Sequence, residues 1–325
     1  MKILVIRLSS LGDIVISEAV FAALRLRYPQ AEIWMLCKEQ FIPIAEAFEA
    51  CDQIVAYRKE LSFHKSLRKH RFDLVIDIHA KLSTFILRCF LKADRVLVYQ
   101  KQHFKRRLKV AGLYRRTLPP VLDLYLAPLR KAGIITTDVS LPKLITTNPL
   151  PQSFVAIKEE NLGKKLILLF AGAAHFTKMY PIEQWVELID NAPENWHFIL
   201  CGSREEHKIC AEIDRKTEKK CDDMSGKWNL EAILAVIKAC DLVLSNDSGP
   251  MHIAAAFAKA QVAIFCSTHP DLGFAPQNPN AIVLCANLDC QPCSLHGLEK
   301  CPQGHYLCMK ELSAQMVLAE MRKLL

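Results

Sequence analysis

No apolar run in this chain reaches the roughly 20 residues that a bilayer-crossing helix needs, so no transmembrane segment is expected. The opening apolar stretch from Met1 to Ile6 is too short for a signal peptide and meets Arg7 at once, which points to the cytosol. Glycine is missing where a dinucleotide would want it. The first strand turn, Ser9-Ser10-Leu11-Gly12-Asp13, lacks the three-glycine fingerprint that lets a pyrophosphate approach the backbone, which argues against a dinucleotide-dependent oxidoreductase. Aromatic residues are sparse among the basic ones. Phe104 and Tyr114 are thin support for stacking bases, so nucleic acid is not an expected partner, and a basic binding protein without catalysis is the remaining non-enzymatic alternative. There is also no short-period repeat.

What the chain does have is length and apolar content: 325 residues, 51% hydrophobic and 23% charged, are enough for two soluble domains with separate cores. Short β-favouring runs at 2–8, 33–37, 54–57 and 74–78 alternate with helical spacing at 14–27 and 41–48. The alternation resumes with strands Lys165–Phe170, 197–201 and Gln261–Phe265, helices 181–189 and Leu230–Ala239, and a final amphipathic helix at 312–325. Strands buried on both faces between helices imply parallel sheets. Residues 136–151 are rich in Thr, Pro and Asn, the composition of a linker. The expected architecture is α/β, two Rossmann-like doubly wound domains at 1–152 and 153–325 facing a central cleft. Ligands in such sheets sit beyond the carboxyl ends of the strands.

One loop of this kind stands out. Ser245-Asn246-Asp247-Ser248-Gly249-Pro250-Met251-His252 joins the short run 241–244 to the helix-favouring 253–257. Gly249 allows backbone angles closed to other residues, Pro250 suits the first helical position, and the free N–H groups of a helix start attract phosphate. An ordinary strand-to-helix connection, with Asp247 or Ser248 as N-cap, fits the same residues equally well.

Two other strand ends, at Asp13 and Lys178, fall in the same relation to their sheets. Taken together, residues 6–15, residues 244–256, and the run from Cys290-Gln291-Pro292-Cys293 through Cys301-Pro302-Gln303-Gly304-His305 to Cys308-Met309 resemble glycosyltransferase family 9. These are the heptosyltransferases that build the inner core of lipopolysaccharide, and the likeness is greatest to the type II enzymes.

The resemblance implies a GT-B fold, an acceptor-binding first domain and an ADP-heptose-binding second domain whose last helix packs back on the first. It implies an inverting transfer with no metal in catalysis, with heptosyl-Kdo2-lipid A as acceptor; transfer of the first heptose onto Kdo2-lipid A is the nearest rival. Asp13 becomes the candidate base for the attacking hydroxyl, against the alternative of N-cap to the helix from Ile14. Lys178 would meet the diphosphate as charge builds on the leaving ADP. Ser248, Gly249 and His252 would touch phosphates while Asp247 fixes the turn, and Glu206 would bind ribose hydroxyls unless neighbouring Glu205 does. The sequence departs from the family at Ala173 and Ala174, where hydroxyl residues are usual, and at Cys266, where glycine is expected.

Much of the net charge of +8 falls between Lys101 and Arg116. Lys105 and Arg106 in that segment, with Arg7, Ser10, His79 and Lys81 at strand ends, are candidate contacts to an acidic acceptor, and the patch suits transient contact with the inner membrane of a Gram-negative bacterium. A solvated charged helix is the plainer alternative. Thirteen cysteines in a chain without an export signal argue for reduced thiols. Cys290, Cys293, Cys301 and Cys308 have a spacing compatible with a structural zinc site, with packed thiols as the competing explanation.

Overall fold

The structure is a computed structural model that describes residues 1–135 and 139–325. The first three residues of the expected linker, Thr136, Thr137 and Asp138, lie outside the described residues. The chain divides into two compact units: Met1–Gln102 with Pro119–Ile145, and His103–Leu118 with Thr146–Leu325.

The first unit is built on β1 (Lys2–Ile6), α1 (Leu11–Arg27), β2 (Glu32–Cys37), α2 (Ile42–Glu46), β3 (Gln53–Ala56), α3 (Leu61–Leu67), β4 (Arg71–Asp77), α4 (Leu82–Phe90) and β5 (Lys92–Val98). All neighbours pair in parallel in the order β3-β2-β1-β4-β5. The middle strand β1 is apolar along its length because both its faces are covered, and Ile3, Leu4, Val5 and Ile6 are fully buried. Trp34 anchors one layer, meeting Phe72 edge-on at 5.6 Å. Helix α1 is buried on every side from Ile14 to Phe21 and again at Ala23 and Leu24, and it ends at Arg27 with Tyr28 as C-cap, just before Pro29 removes the next donor.

The chain leaves this unit for 103–118, which includes α5 (His103–Val110), and returns with α6 (Val121–Lys131). That excursion differs from a single division at 152. Segment 103–118 is tied into the second unit by side chains that a reading of charge alone treats as solvated. Lys109 sits 3.0 Å from the Asp271 carboxylate, and the Arg106 guanidinium lies 4.8 Å from the centre of the Phe274 ring.

The second unit contains α7 (Gln152–Glu160), β6 (Lys165–Phe170), α8 (Ile182–Asp190), β7 (Trp196–Cys201), α9 (His207–Lys216), β8 (Asp222–Asp223), α10 (Leu230–Ala239), β9 (Leu242–Asn246), α11 (Gly249–Ala256), β10 (Gln261–Phe265), β11 (Ala281–Cys285), α12 (Leu307–Lys310) and α13 (Ala314–Arg322). Its sheet is parallel throughout, in the order β11-β10-β9-β6-β7-β8. Helix α13, expected to pack back on the N-terminal domain, buries Val317, Leu318 and Met321 with Trp185 in the core of the second unit.

Candidate active site: polar clusters at the carboxyl edges of the two sheets

In the first unit the cluster begins at the end of β1. Arg7 crosses to the end of β4, where its Nη1 donates to the Ile78 carbonyl at 2.7 Å, and its Nη2 lies 2.5 Å from Asp13 Oδ2. Helix α1 starts earlier than the spacing from Ile14 predicts. Ser10 is the N-cap and Asp13 the third helical residue, so the alternative of Asp13 as N-cap does not hold. Asp13 Oδ2 instead accepts from the Ser10 amide at 3.2 Å and the Ser10 hydroxyl at 2.8 Å, while Oδ1 accepts from the Tyr125 hydroxyl at 2.6 Å. Burial favours the neutral acid, but the Arg7 charge and the hydrogen bonds from Tyr125 and Ser10 outweigh it and take the Asp13 pKa down to about 2. The carboxylate is therefore ionised at neutral pH.

Beside it, Asp77 at the end of β4 accepts from the amides of His79 and Ala80 at 3.0 and 2.8 Å and faces Arg88 at 3.0 Å. This holds the turn carrying His79 and Lys81. His79 is buried, and burial with the positive field of Arg7, Lys81 and Lys101 lowers its pKa to about 3, so the ring is neutral. Its Nδ1 has no hydrogen-bond partner. Arg7, Ser10, Asp13, His79 and Lys81 thus come together at one sheet edge. Lys105 and Arg106 belong instead to the second unit: Lys105 is exposed on α5, and Arg106 is buried against Phe274. That corrects their placement in an acceptor-binding first domain.

The second unit gathers its cluster from the ends of β6, β7, β9 and β10. Asn246, the last residue of β9, donates to the Ala171 carbonyl at 2.7 Å and accepts from the Tyr180 amide at 3.0 Å, lacing the β6 loop to β9. Lys178 Nζ lies 2.8 Å from Asp247 Oδ2, which also accepts from the Thr268 hydroxyl at 2.8 Å. Asp247 is thus engaged with protein groups. Ser248 occupies the N-cap position of α11 without a side-chain capping bond, and its buried hydroxyl has no partner. Gly249 opens the helix and is not among the residues with positive φ, so its use is not the special backbone angle expected of it; Pro250 is the second helical residue rather than the first. His252 is buried one turn further on.

Glu206 reaches back over the β6 loop. Its Oε2 accepts from the Ser203 amide at 2.7 Å, and a Cβ placed on Gly172 would lie 2.0 Å from its Oε1. Only glycine at 172 leaves that carboxylate where it is. Glu205 is exposed. Ala173 is buried and Ala174 exposed, and neither offers a side-chain donor. Cys266 is packed in the core, so the glycine expected there is replaced without a side chain entering the site.

The cysteine-bearing segment buttresses this cluster. Gln291 donates from its side-chain amide to the carbonyls of Cys266 and Thr268, the Cys293 amide donates to the Ser267 carbonyl at 2.9 Å, and the Leu298 amide donates to Thr177 Oγ1 at 2.8 Å. Cys290 Sγ is 3.8 Å from His305 Nε2. Among the described residues, no three His, Cys, Asp or Glu side chains are grouped as ligands of one ion, so the geometry adds nothing to the zinc reading of the four cysteines. Three residues of the two clusters carry no sequence signal of their own: Tyr125, Asn246 and Thr268. Asn246 is suggested only by adjacency to Asp247.

Two units, each a parallel, doubly wound sheet with a polar cluster at its carboxyl edge, are the arrangement of the GT-B fold class. The fold is similar to that of ADP-heptose lipopolysaccharide heptosyltransferase II of Escherichia coli, with a TM-score of 0.77 at 23% identity over 100% of this chain and 98% of that one. The chain belongs to glycosyltransferase family 9, the heptosyltransferases, whose family profile matches residues 60–302. It is 29% identical to lipooligosaccharide heptosyltransferase 2 of Campylobacter jejuni over 82% of this chain and 80% of that protein. To lipopolysaccharide heptosyltransferase 2 of Escherichia coli it is 24% identical over 100% of this chain and 99% of that protein, a span that includes the Asp13 turn outside the profile match.

Proposed function

We propose that this glycosyltransferase moves heptose from ADP-heptose to the lipopolysaccharide inner core, with inversion at the anomeric carbon and heptosyl-Kdo2-lipid A as acceptor. The observation that carries the donor half is the paired Lys178 beside the unpartnered Ser248 hydroxyl at the start of α11. A diphosphate there meets a cation, a free hydroxyl and the positive end of a helix, and its charge is stabilised most as ADP leaves. Lys178 then exchanges part of its bond to Asp247 for the phosphates, while Thr268 keeps the Asp247 carboxylate turned away. Glu206 is suited to ribose hydroxyls.

Asp13 takes the proton of the attacking hydroxyl. Its low pKa makes it a modest base, matched to a hydroxyl whose proton is released late, as bonding to the anomeric carbon develops. The cationic field of Arg7, Lys81 and Lys101 suits an acceptor bearing carboxylates and phosphates. No helix among the described residues is long and apolar enough to cross a membrane. The exposed Phe104 and Leu113 amid Lys105, Arg107, Arg115 and Arg116 fit peripheral contact with the cytoplasmic face of the inner membrane.

Mass spectrometry of products from purified protein, ADP-heptose and a panel of truncated lipid A acceptors tests the reading. A gain of one heptose on heptosyl-Kdo2-lipid A is expected. A gain on Kdo2-lipid A alone would move the enzyme one step earlier, and no gain on any acceptor would refute the assignment.

A further inference from the structure

The Asp13 carboxylate is not used evenly by its neighbours. Oδ2 receives the Arg7 guanidinium, the Ser10 amide and the Ser10 hydroxyl, which fills its capacity as an acceptor. Among the described residues, Oδ1 receives one donor only, the Tyr125 hydroxyl at 2.6 Å. Tyr125 comes from α6, 112 positions along the chain, and is fully buried, with its ring edge-on to Tyr99 at 5.2 Å and the Arg7 guanidinium 5.2 Å from the ring centre. Burial and the neighbouring Asp13 charge raise the Tyr125 pKa well above its ordinary value, so the hydroxyl stays protonated and acts only as a donor.

We infer that Tyr125 is the positioning residue of the base: it occupies one lone pair of Asp13 Oδ1 and leaves the other as the site that receives the acceptor's proton. In the step this implies, the acceptor O–H bond breaks toward the open lone pair of Oδ1 as its oxygen bonds to the anomeric carbon. The electron pair of the anomeric C–O bond departs with ADP, and Asp13 is left neutral. The Tyr125 hydrogen bond strengthens the carboxylate form, so it costs basicity and fixes direction. The inference rests on Asp13 being the base. Among the described residues, the charged and titratable groups around Asp13 include Arg7 on the β1 loop, His79 and Lys81 after β4, Lys101 after β5 and Tyr125 itself. Of these, Tyr125 alone can be altered at one atom without changing a charge.

The test uses the full chain with ADP-heptose and heptosyl-Kdo2-lipid A. Tyr125→Phe should lower kcat by roughly ten- to a hundredfold, the scale of a misdirected reacting group, with the donor KM unchanged. It should also bring the acid limb of kcat/KM up into the measurable range, because Asp13 loses a bond to its charged form. Replacing Tyr125 with fluorotyrosines of increasing hydroxyl acidity keeps the shape and covers the case in which Tyr125→Phe does not fold. The rate should then fall steadily as the donor strengthens. A folded Tyr125→Phe enzyme with wild-type kcat and pH profile, or a rate independent of hydroxyl acidity, overturns the inference. Asp13→Asn is measured alongside. Turnover surviving there removes Asp13 as base, whereas an inactive Asp13→Asn beside an unaltered Tyr125→Phe removes only the role of Tyr125.

Discussion

Glu18 shows how a single buried acid in α1 sets a pH dependence of its own. It accepts from the Lys143 amide at 2.8 Å, and burial, with the nearby Glu49 charge, raises its pKa to about 7 despite that bond. A raised carboxyl pKa means that the folded chain holds a proton the unfolded chain gives up above its ordinary value of 4.5. Stability therefore falls as pH rises from about 4.5 to about 7 and is flat above. Glu18→Gln keeps an acceptor for Lys143 and removes the ionisation. The substitution should stabilise the protein on the order of 2–3 kcal/mol at pH 8 and leave it unchanged near pH 4.5, read from melting temperatures across that range. A variant melting no higher than the parent at pH 8 would show that Glu18 is ionised in the folded state without penalty.

At the scale of elements, the loop after β6 depends on what lies across from it. In Gly172→Ala the new methyl displaces the flexible end of Glu206 rather than backbone. Stability should change by less than about 1 kcal/mol, while calorimetry should find ADP bound about tenfold more weakly, the loss of one to two hydrogen bonds. Unchanged ADP affinity would take Glu206 out of the donor site. Gly297 offers a contrast: its φ of +93° and the 2.7 Å from a built Cβ to Lys178 Cγ make a side chain there strained as well as obstructive.

Which elements were legible in the sequence follows from the same physics. The strands that carry the site, β1, β4, β6, β7, β9 and β10, are apolar runs followed by turns, which marks where candidates can sit, while the roles given to Asp13, Lys178 and Glu206 come from the family resemblance and not from the runs themselves. Edge strand β5 was not, because Lys92, Asp94 and Arg95 break its apolar run and its outer positions face water. Strand β11 is apolar but follows no α-helix after β10, so counting strands against helices passes over it. Tyr125 was hidden for a different reason. Its position in a helix reads as core, and nothing local marks the hydroxyl that meets Asp13.

For the whole molecule, the donor reading confines ADP to the second unit. Hydrogen exchange should show ADP slowing the amides of 171–180, 247–256 and 266–268, by about a hundredfold at an ADP concentration a hundred times its Kd, where those amides open with the site. Residues of β1 to β5 should keep their rates. Protection centred on the β1 loop instead would place the nucleotide with Asp13 and reverse the roles of the two units.

The excursion of 103–118 has a practical corollary for anyone who would divide this protein. The polypeptide changes units at three places along its length, so no single scissor point yields two whole pieces. A fragment ending near 152 would carry a cationic helix stripped of Asp271 and Phe274, and the complementary fragment would present those two groups bare. Grafting either half onto a relative to exchange acceptor or donor preference requires transplanting the helix together with the later half, as two separate inserts.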